Sequence, residues 1–302
     1  MSQTRCGYVA LIGAPNAGKS TLINQLVGAK VSIVSRKAQT TRARVRGIAL
    51  EGEAQIIFVD TPGLFAPKRR LDRAMVDAVW KGADEGDALI ALIDAKREAG
   101  HVSDEAEALL SALDGRRAPK YLVLNKIDLL DRPKLLELAK TLNERHRFVA
   151  TFMISAETGD GVAAMKTALG AAMPAGPWLY PEDQVSEAPL MALAAEITRE
   201  KLFERLHDEL PYQCTVETET WEVRKDGSAR IEQTIFVTRD SHKKIVIGEG
   251  GRTLKAIGTA ARKEIAEANE APVHLFLHVK QRDNWLDDPE RYRAMGLEFP
   301  KD

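Results

Sequence analysis

Residues 13–21 read GAPNAGKST and fit the pattern G-x-x-x-x-G-K-[S/T]. The apolar run at residues 8–12 predicts a strand before this stretch, and residues 22–26 predict a helix after it, which is the context that gives the pattern meaning. Glycines at Gly13 and Gly18 allow backbone N–H groups to wrap a phosphate chain at the positive end of the helix. The stretch therefore predicts a polyphosphate site, and the alternative is an ordinary glycine-containing turn.

The polar positions of this phosphate loop have predicted partners. Lys19 is expected to reach the terminal phosphates as a point charge, and the Ser20 hydroxyl is expected to ligate a Mg²⁺ ion that keeps most of its waters. The other predicted members of the phosphate cradle are Asn16, Ala17 and Thr21.

Composition limits the classes of protein that the chain can be. Its 302 residues suffice for two domains, and the net charge of −1 excludes no partner because local patches can hide in a balanced total. We find no apolar stretch near the roughly 20 residues of a membrane helix and no secretory leader, so we expect a cytosolic protein. Cys6 and Cys214 lie far apart, which supports neither a disulfide framework nor a zinc site.

A polar segment follows the loop, residues 30–46, KVSIVSRKAQTTRARVR, with five basic residues from Arg36 onward and no acid. Its lack of periodicity predicts a mobile loop. One threonine of the pair Thr40-Thr41 is expected to meet both the magnesium ion and the terminal phosphate, so that the loop orders only when that phosphate is present. A solvated surface loop is the alternative.

Two short strands are then predicted at residues 47–50 and 54–59, and the second ends in Asp60-Thr61-Pro62-Gly63. A carboxylate at the end of a strand beside the phosphate loop can hold a magnesium-bound water, so Asp60 is the candidate. Gly63 can present its N–H group to the terminal phosphate. A strand followed by a Pro-Gly turn would produce the same four residues.

The apolar run at residues 121–124 is followed by Asn125-Lys126-Ile127-Asp128, and these four residues predict which base the bound nucleotide carries. The Asp128 carboxylate can accept hydrogen bonds from N1–H and the 2-amino group of guanine, which adenine cannot supply. Lys126 is expected to lie along the purine, and Asn125 to tie the loop together. After the next apolar run, Ser155 and Ala156 are candidates to meet guanine O6 through the Ala156 N–H group.

Strand and helix patterns alternate through this half of the chain. Further strands are predicted at residues 88–93 and 148–154, and helices at residues 104–113, 133–145 and 162–173. Residues 64–80 carry a basic cluster, Lys68-Arg69-Arg70, followed by apolar residues at helical spacing, which are Leu71, Met75, Val76 and Val79. One motif at each strand end indicates a doubly wound, mostly parallel sheet with its ligand at the carboxyl ends. We predict a GTP-binding domain over residues 1–173 and a linker over residues 174–189.

The second half predicts a smaller α+β domain over residues 190–302, with a short tail. A helix at residues 190–210 precedes strands at 214–223 and 229–238, a glycine turn between short helices, a helix to about residue 268 and a strand at 273–279. Near the turn, residues 241–263 contain six Lys or Arg and one acid, which favours a phosphate-facing strip. The candidate RNA-binding residues are Lys243, Lys244, Ile247, Gly248, Glu249, Gly250, Gly251, Arg252 and Lys255, with Ile245, Leu254 and Ile257 lining an apolar groove.

Taken together, GAPNAGKST, DTPGL, NKID and SAE resemble the translation-factor-related GTPases, and with SRKAQTTR and the C-terminal half the chain closely resembles the Era family of bacterial GTPases. The resemblance implies a P-loop GTPase domain followed by a KH type II RNA-binding domain. It implies GTP or GDP and Mg²⁺ as ligands, with Ser20, Thr41 and Asp60 at the metal, the last through water. It also implies small-subunit ribosomal RNA and the small ribosomal subunit as partners.

Further expectations come from this resemblance. Ras-like enzymes place a water-orienting glutamine after DxxG, where this chain has Leu64, so intrinsic turnover should be slow. The resemblance implies that the catalytic residues are Lys19, Thr41, Gly63 and Asn16. Related GTPases with an asparagine in the phosphate loop suggest that Asn16 helps to bind a K⁺ ion whose charge substitutes for an arginine finger. The alternative function is an RNA-binding assembly factor in which nucleotide is structural. A third possibility is an RNA-modifying enzyme with a GTPase module, but the C-terminal half shows no second set of catalytic residues in its sequence. Peripheral contact with the inner face of the cell membrane is a further expectation left open.

Overall fold

The structure is a computed structural model that describes residues 3–35, 37, 40–42, 45–64, 67, 70–282, 288–294 and 297–300. Backbone contacts divide the chain into two compact units. Unit 1 comprises Met1–Ser32, Thr41–Glu187 and Arg293–Asp302, and unit 2 comprises Ile33–Thr40 and Ala188–Tyr292. Of the predicted basic residues, Arg36, Arg44, Lys68 and Arg69 lie outside the described residues.

Unit 1 is built on a six-stranded sheet. Its strands are β1 (Arg5–Gly13), β2 (Val45–Glu51), β3 (Ala54–Asp60), β4 (Ala88–Asp94), β5 (Lys120–Asn125) and β6 (Ala150–Ile154). The order is β2-β3-β1-β4-β5-β6. Only the β2–β3 pair is antiparallel, because these two strands form a hairpin. The central strands are buried on both faces, which explains their unbroken apolar sequences.

Helices cover both faces of this sheet. They are α1 (Lys19–Val27), α2 (Arg70–Glu85), α3 (Ala95–Glu98), α4 (Asp104–Asp114), α5 (Arg132–Arg145) and α6 (Val162–Ala172). One apolar cluster contains Leu22 of α1 and Leu169 of α6, and a second cluster contains Val79 of α2, Leu110 of α4 and Leu142 of α5. The predicted doubly wound architecture is therefore confirmed.

The register of the sheet brings the motif-bearing strand ends to one edge. Leu11 of β1 pairs with Asp60 of β3. Asn125 at the end of β5 pairs with Asp94 of β4 and with Ile154 of β6. Because parallel strands end on the same side of the sheet, the loops that follow them form one continuous surface.

Much of the stretch predicted as a linker belongs to unit 1, where it covers the edge of the sheet. The Ile48 amide of β2 donates to the Val185 carbonyl oxygen at 2.9 Å, and Ser186 forms an isolated antiparallel β-bridge with Gly47. Arg46 pairs with Glu187 at 2.8 Å. The segment thereby satisfies backbone groups that an open edge strand would leave exposed.

Unit 2 is a three-stranded sheet with helices. Its elements are α7 (Leu190–Arg205), β7 (Cys214–Val223), β8 (Ala229–Val237), α8 (Asp240–Ile247), α9 (Arg252–Ala268) and β9 (Val273–Gln281), and 3-10 turns lie at Leu210–Gln213 and Glu249–Gly251. The order is β7-β8-β9, antiparallel and then parallel. This element order is the predicted KH type II order. A last helix, α10 (Pro289–Ala294), lies in the predicted tail, of which residues 283–287 are outside the described residues.

Helix α7 ends five residues earlier than the sequence predicted. Leu206 has an extended backbone, with φ −91° and ψ 153°. Pro211 has no amide hydrogen to donate to the carbonyl of residue 207, so a regular helix cannot continue through it. The predicted apolar face is still used, because Leu202, Phe203 and Leu206 are buried.

The described residues between 33 and 40 pack against α7 within unit 2, so the alternative of a solvated surface loop is not observed for this part of the segment. The Val34 amide donates to Glu200 at 2.6 Å, and Arg199 donates to the Thr40 carbonyl oxygen at 2.6 Å. The Lys37 ammonium group donates to the Phe203 and Leu206 carbonyl oxygens at the end of the helix. Ile33 and Thr40 are buried.

Candidate functional site

The phosphate loop connects β1 to α1 and depends on close backbone approach at Gly18. Gly18 has φ 101°, and a Cβ there would overlap the Asn125 side-chain amide. A larger residue would therefore be strained and would also displace the neighbouring loop. Gly13 closes β1, Asn16 and Ala17 lie within the loop, and Thr21 lies in the first turn of α1.

Lys19 is held inside the loop rather than in solvent. Its ammonium group donates to the carbonyl oxygens of Gly13 at 3.0 Å and Ala14 at 2.9 Å, and the residue is only 6% exposed. Burial lowers the pKa of Lys19 to about 8, against the opposing effect of the Asp60 carboxylate. A phosphate anion bound in the loop would favour the charged form of this lysine.

Three hydroxyl groups converge on Asp60 at the end of β3. Its Oδ2 atom accepts hydrogen bonds from Ser20 at 2.8 Å and Ser32 at 2.7 Å, and Thr41 lies 3.5 Å away. The Oδ1 atom is buried and has no hydrogen-bond partner among the described residues. Burial raises the pKa of the Asp60 carboxyl, and the neighbouring Lys19 and hydroxyl groups act against this shift.

This cluster fits a magnesium ion. Mg²⁺ prefers oxygen ligands, keeps several waters, and is commonly held by one or two carboxylates together with substrate phosphates. The orphaned Asp60 Oδ1 atom can accept a hydrogen bond from such a water. The part of the chain that the structure describes contains no group of three or more His, Cys, Asp or Glu residues suited to holding a metal ion. A donor set of one carboxylate and two hydroxyl groups matches magnesium that arrives with a nucleotide, whose phosphates supply further oxygen ligands.

The structure distinguishes the two threonines of the predicted switch. The Thr40 hydroxyl donates to the Lys37 carbonyl oxygen at 2.8 Å. The Thr41 hydroxyl lies 3.1 Å from the Ser20 hydroxyl. Thr41 is therefore the threonine that joins the predicted metal ligands.

The residues after Asp60 lie against the phosphate loop. A Cβ at Gly63 would lie 2.7 Å from the Pro15 nitrogen, and the Leu64 amide donates to the Gly13 carbonyl oxygen at 3.1 Å. The Leu64 side chain packs on the apolar cluster that contains α2 and α4. Gly63 is thus close enough to the loop for a change at the terminal phosphate to reach it.

Asn125 ties together the loops that are predicted to hold the base. Its side-chain amide donates to the Ala17 carbonyl oxygen at 2.8 Å, and its Oδ1 atom accepts from the Ala156 amide at 2.9 Å. The Ala156 N–H group that was expected to meet guanine O6 is therefore engaged by Asn125 in this structure. Ser155 is buried, and its hydroxyl accepts from the Thr158 amide at 3.2 Å.

Lys126 and Asp128 occupy the outer side of the same surface. Lys126 has φ 67°, and its ammonium group reaches the Asn16 carbonyl oxygen at 2.8 Å and Asp94 at 2.6 Å. Asp128 is exposed in a 3-10 turn at Ile127–Leu129. An exposed carboxylate beside an extended lysine stem can receive the edge of a purine while the stem covers its face.

The predicted RNA-binding residues of unit 2 form one continuous feature made of the end of α8, the glycine turn and the start of α9. Gly248, Gly250 and Gly251 all have positive φ angles. A Cβ at Gly248 would overlap Thr253, whereas a Cβ at Gly250 or Gly251 would meet no atom within 4 Å. The backbone around Gly250 and Gly251 is therefore open to a close approach by a ligand.

Charged side chains surround this turn. Lys244, Arg252 and Lys255 are exposed, Glu249 pairs with Arg252, and Lys243 is half-buried. A groove of about 670 Å³ continues along the outer face of α9; its basic lining residues are Arg205, Arg252, Lys255, Arg262 and Lys263.

The predicted apolar lining of this turn is only partly accessible. Ile245 is 55% exposed, while Ile247 and Leu254 are partly buried against the core of unit 2. Ile257 is fully buried, so its predicted place in an open groove is wrong. It lies on the inner face of α9 with Ala261 and Ile265, where helical spacing directs it toward the sheet.

Comparisons with known proteins agree with both units. A family model described as "50S ribosome-binding GTPase" matches residues 8–126, and a "KH domain" model matches residues 209–286. The protein named GTPase Era from Afipia carboxidovorans is 65% identical over 299 residues, which cover 99% of this chain and 96% of that protein. This chain belongs to the Era family of GTPases.

Solved structures of Era proteins share this fold over nearly the whole chain. A crystal structure of Era in complex with MgGDPNP and nucleotides 1506–1542 of 16S ribosomal RNA matches with a TM-score of 0.87 at 36% identity, covering 97% of this chain and 99% of that one. A crystal structure of an Aquifex aeolicus Era variant bound to GDP·AlF4⁻ matches with a TM-score of 0.88, the same identity and the same coverage. The predicted family, fold class and GTPase activity are confirmed. No helix among the described residues is long and apolar enough to cross a membrane.

Sequence reasoning missed two residues beside the Era-family nucleotide site. Ser32 donates to Asp60, and Asn24 accepts from the amides of Val31 and Ser32 at 2.9 Å each. One signal was available for Asn24, because it lies four residues after Ser20 and so one helical turn away on the same face of α1. No local pattern marks Ser32, since its partner Asp60 lies in another element.

Proposed function

We propose that this Era-family GTPase is a GTP-hydrolysing switch that binds single-stranded small-subunit ribosomal RNA through its KH domain and acts in assembly of the small ribosomal subunit. GTP and Mg²⁺ order the segments that contain Thr41 and Gly63, and hydrolysis releases them. GTP differs from GDP in the terminal phosphate that these segments contact, so GDP should not produce the ordered state.

The observation that carries the switch is the convergence of Ser20, Thr41 and Asp60 beside Lys19. These side chains come from the phosphate loop and from the two segments predicted to sense the terminal phosphate, and their oxygens suit a hard cation. The base is assigned to Asn125, Lys126 and Asp128, and the phosphate cradle to residues 13–21.

The RNA assignment is supported by the open glycine turn and by the relative whose crystal structure contains 16S ribosomal RNA. KH domains clamp about four nucleotides at a GXXG loop. In this protein, Gly250 and Gly251 would lie against the sugar-phosphate backbone of the RNA, and Arg252 and Lys255 would pair with its phosphates.

Affinity for a 16S RNA 3′-end fragment, measured with GDP and with GDPNP, tests the switch. Tighter binding with GDPNP is expected, whereas equal affinities would favour the alternative in which nucleotide is structural. Lys255→Glu should weaken binding in both states. Lys225→Glu, an exposed charge reversal in the β7–β8 turn, serves as the matched control.

We further propose that Asn16 supports a K⁺ ion that compensates for the apolar Leu64 during hydrolysis. Asn16 lies at a left-handed position of the phosphate loop, with φ 62°, and its carbonyl oxygen accepts from Lys126. GTP turnover should be slow in sodium buffer and faster in potassium buffer. Equal rates in the two buffers would remove the ion from the mechanism.

We place the protein in the cytoplasm, on ribosomal particles, and keep peripheral contact with the inner face of the cell membrane as the alternative location. Binding to ribosomal RNA by the basic strip supports the first placement. Flotation of a cell lysate on a density gradient separates the two, because membrane-bound protein floats with the lipid whereas ribosome-bound protein sediments. A salt wash would weaken both kinds of contact.

A further inference from the structure

The Asp60 carboxylate is supported unevenly. Its Oδ2 atom accepts from Ser32 at 2.7 Å and from Ser20 at 2.8 Å, and its Oδ1 atom has no hydrogen-bond partner among the described residues. The residue is fully buried. A carboxylate in this position can hold a magnesium-bound water only if its plane is fixed, since an unrestrained group would turn its free oxygen away from the ion.

Two of the hydroxyl groups near Asp60 have another assignment. Ser20 and Thr41 are the proposed ligands of magnesium, so their oxygens are committed to the ion when it is bound. Ser32 has no such assignment, and its described side-chain hydrogen bond goes to Asp60. It is therefore the hydroxyl that remains to hold Oδ2 in the loaded state.

Ser32 is itself held in place by α1. The Asn24 Oδ1 atom accepts from the Val31 and Ser32 amides at 2.9 Å each, and the Asn24 side-chain amide donates to the Ser32 carbonyl oxygen at 2.8 Å. Ser32 is 3% exposed, so water cannot readily replace its hydroxyl group. The same helix carries Ser20, which fixes Ser32 and the metal-ligating hydroxyl in one frame.

We propose that Ser32, clamped by Asn24, is a positioning residue that orients Asp60 for the magnesium ion of the nucleotide site. This inference rests on the proposed assignment of Ser20, Thr41 and Asp60 to magnesium. Ser32 contacts neither the nucleotide nor the ion in this arrangement. Its loss should weaken magnesium binding while leaving the affinity of the metal-free protein for nucleotide unchanged.

The test uses the full-length protein loaded with N-methylanthraniloyl-GDPNP, which keeps the terminal phosphate in place. The rate of release of the fluorescent nucleotide is measured across a magnesium titration and in excess EDTA. Ser32→Ala should raise the magnesium concentration at the midpoint by about 10- to 100-fold, the effect typical of losing a partner of a ligating group. The release rate in EDTA should equal that of the unaltered protein.

Companion variants separate orientation from packing. Ser32→Cys keeps the size of the side chain but has a weak donor, so it should behave like Ser32→Ala. Ser32→Thr keeps the hydroxyl and should restore the midpoint. Ser228→Ala is the control, because it removes another buried serine hydroxyl that donates to an aspartate, Asp226, at 2.7 Å in unit 2.

Three results would overturn the proposal. A Ser32→Cys variant with an unaltered midpoint would show that the hydroxyl is dispensable. Equal acceleration of release in EDTA by all Ser32 variants would show that the residue only supports the fold of the loop. If the unaltered protein shows no magnesium dependence, the assignment of the metal site itself fails, and this inference fails with it.

Discussion

Asn125 shows how one side chain can organise a binding surface. Its amide group donates to the phosphate loop at Ala17, and its carbonyl oxygen accepts from the loop after β6 at Ala156. The residue is 2% exposed, so both backbone partners would be left without a hydrogen bond if it were truncated. It therefore acts between the loops, while Lys126 and Asp128 are the residues proposed to contact the base.

Asp128 is expected to determine the choice of base. In Asp128→Asn, the amide group can donate to a carbonyl at position 2 of the purine but can no longer accept both guanine donors. GTP affinity should fall by at least about 100-fold, and affinity for xanthosine triphosphate should rise. Competition binding of the two nucleotides measures this exchange.

A matched control for that change lies nearby. Asp131→Asn alters an exposed aspartate at the start of α5 whose side chain makes no capping hydrogen bond. It should leave both affinities unchanged. An Asp128→Asn variant that still prefers GTP over xanthosine triphosphate would place the base elsewhere.

At the scale of single residues, the sequence identified motif residues that the structure brings together at one edge of the sheet. Lys19, Ser20 and Asn125 lie within short motifs whose spacing is set by the local backbone, so they can be found without a structure. Ser32 and Asn24 were missed because they act through a contact between elements. The sequence could not show that the Ala156 amide donates to Asn125, because this hydrogen bond depends on the pairing of β5 with β6. The amide was therefore predicted to meet guanine.

At the scale of elements, helix α7 contains three consecutive charged residues that are buried, Arg199, Glu200 and Lys201. Arg199 is 1% exposed and donates to the Thr40 carbonyl oxygen and to Glu196, and Glu200 accepts from the Val34 amide. These side chains tie Val34 and Thr40 to the helix. The sequence showed an amphipathic helix, but apolar periodicity cannot reveal that charged residues on it are paired with a distant loop.

Arg199→Met should release this loop from α7. The substitution keeps an apolar stem but removes the hydrogen bonds that Arg199 donates to the Thr40 carbonyl oxygen and to Glu196. A buried acceptor that loses its donor typically costs about 1–3 kcal/mol. Amide hydrogen exchange at Val34 and Lys37 should therefore accelerate at least about tenfold.

The same substitution at Arg205, an exposed residue of the same helix, is the control and should leave exchange unchanged. Unaltered exchange at Val34 in the Arg199→Met protein would mean that other contacts hold the loop.

The glycine turn between α8 and α9 allows a comparison of two glycines. Gly248 has φ 73° and ψ 170°, and a Cβ there would lie 2.8 Å from the Thr253 Cβ. Gly250 has φ 60° and ψ 21°, with open space around it. Gly248→Ala should destabilise unit 2 by about 3 kcal/mol, and Gly250→Ala by about 1 kcal/mol.

Hydrogen exchange of the β8 amides measures this difference, and GDP affinity should be the same in both variants. Equal destabilisation by the two substitutions would show that backbone strain at Gly248 is relieved by movement of the turn.

At the scale of the whole molecule, the sequence predicted two successive domains, and the structure groups the chain differently. Unit 2 takes residues 33–40 from the first half, and unit 1 takes residues 174–187 and a C-terminal segment. Composition marked residues 174–189 as rich in Pro, Gly and acids, which is typical of a linker. Pairing with an edge strand is a long-range property of the backbone, and such a segment gives no periodic signal for it.

This grouping leads to a prediction about stability. A ligand that binds only the folded site stabilises the part of the protein that unfolds together with that site. The free energy of unfolding rises by about 2.7 kcal/mol when the free ligand concentration is 100 times its Kd. Mg·GDP should therefore slow global exchange of the β5 amides in unit 1. The β8 amides in unit 2 should be unaffected because the two units have separate apolar cores.

Amides of residues 33–40 reveal which unit this segment follows. If Val34 and Lys37 exchange with β8 rather than with β5, the segment is energetically part of unit 2, as its hydrogen bonds to α7 imply. Mg·ATP at the same concentration is the control, since it should bind weakly and slow neither set of amides. An equal effect of Mg·GDP on β5 and β8 would instead mean that the whole chain unfolds as one cooperative body, in which case the boundary at residues 187–188 has no thermodynamic meaning.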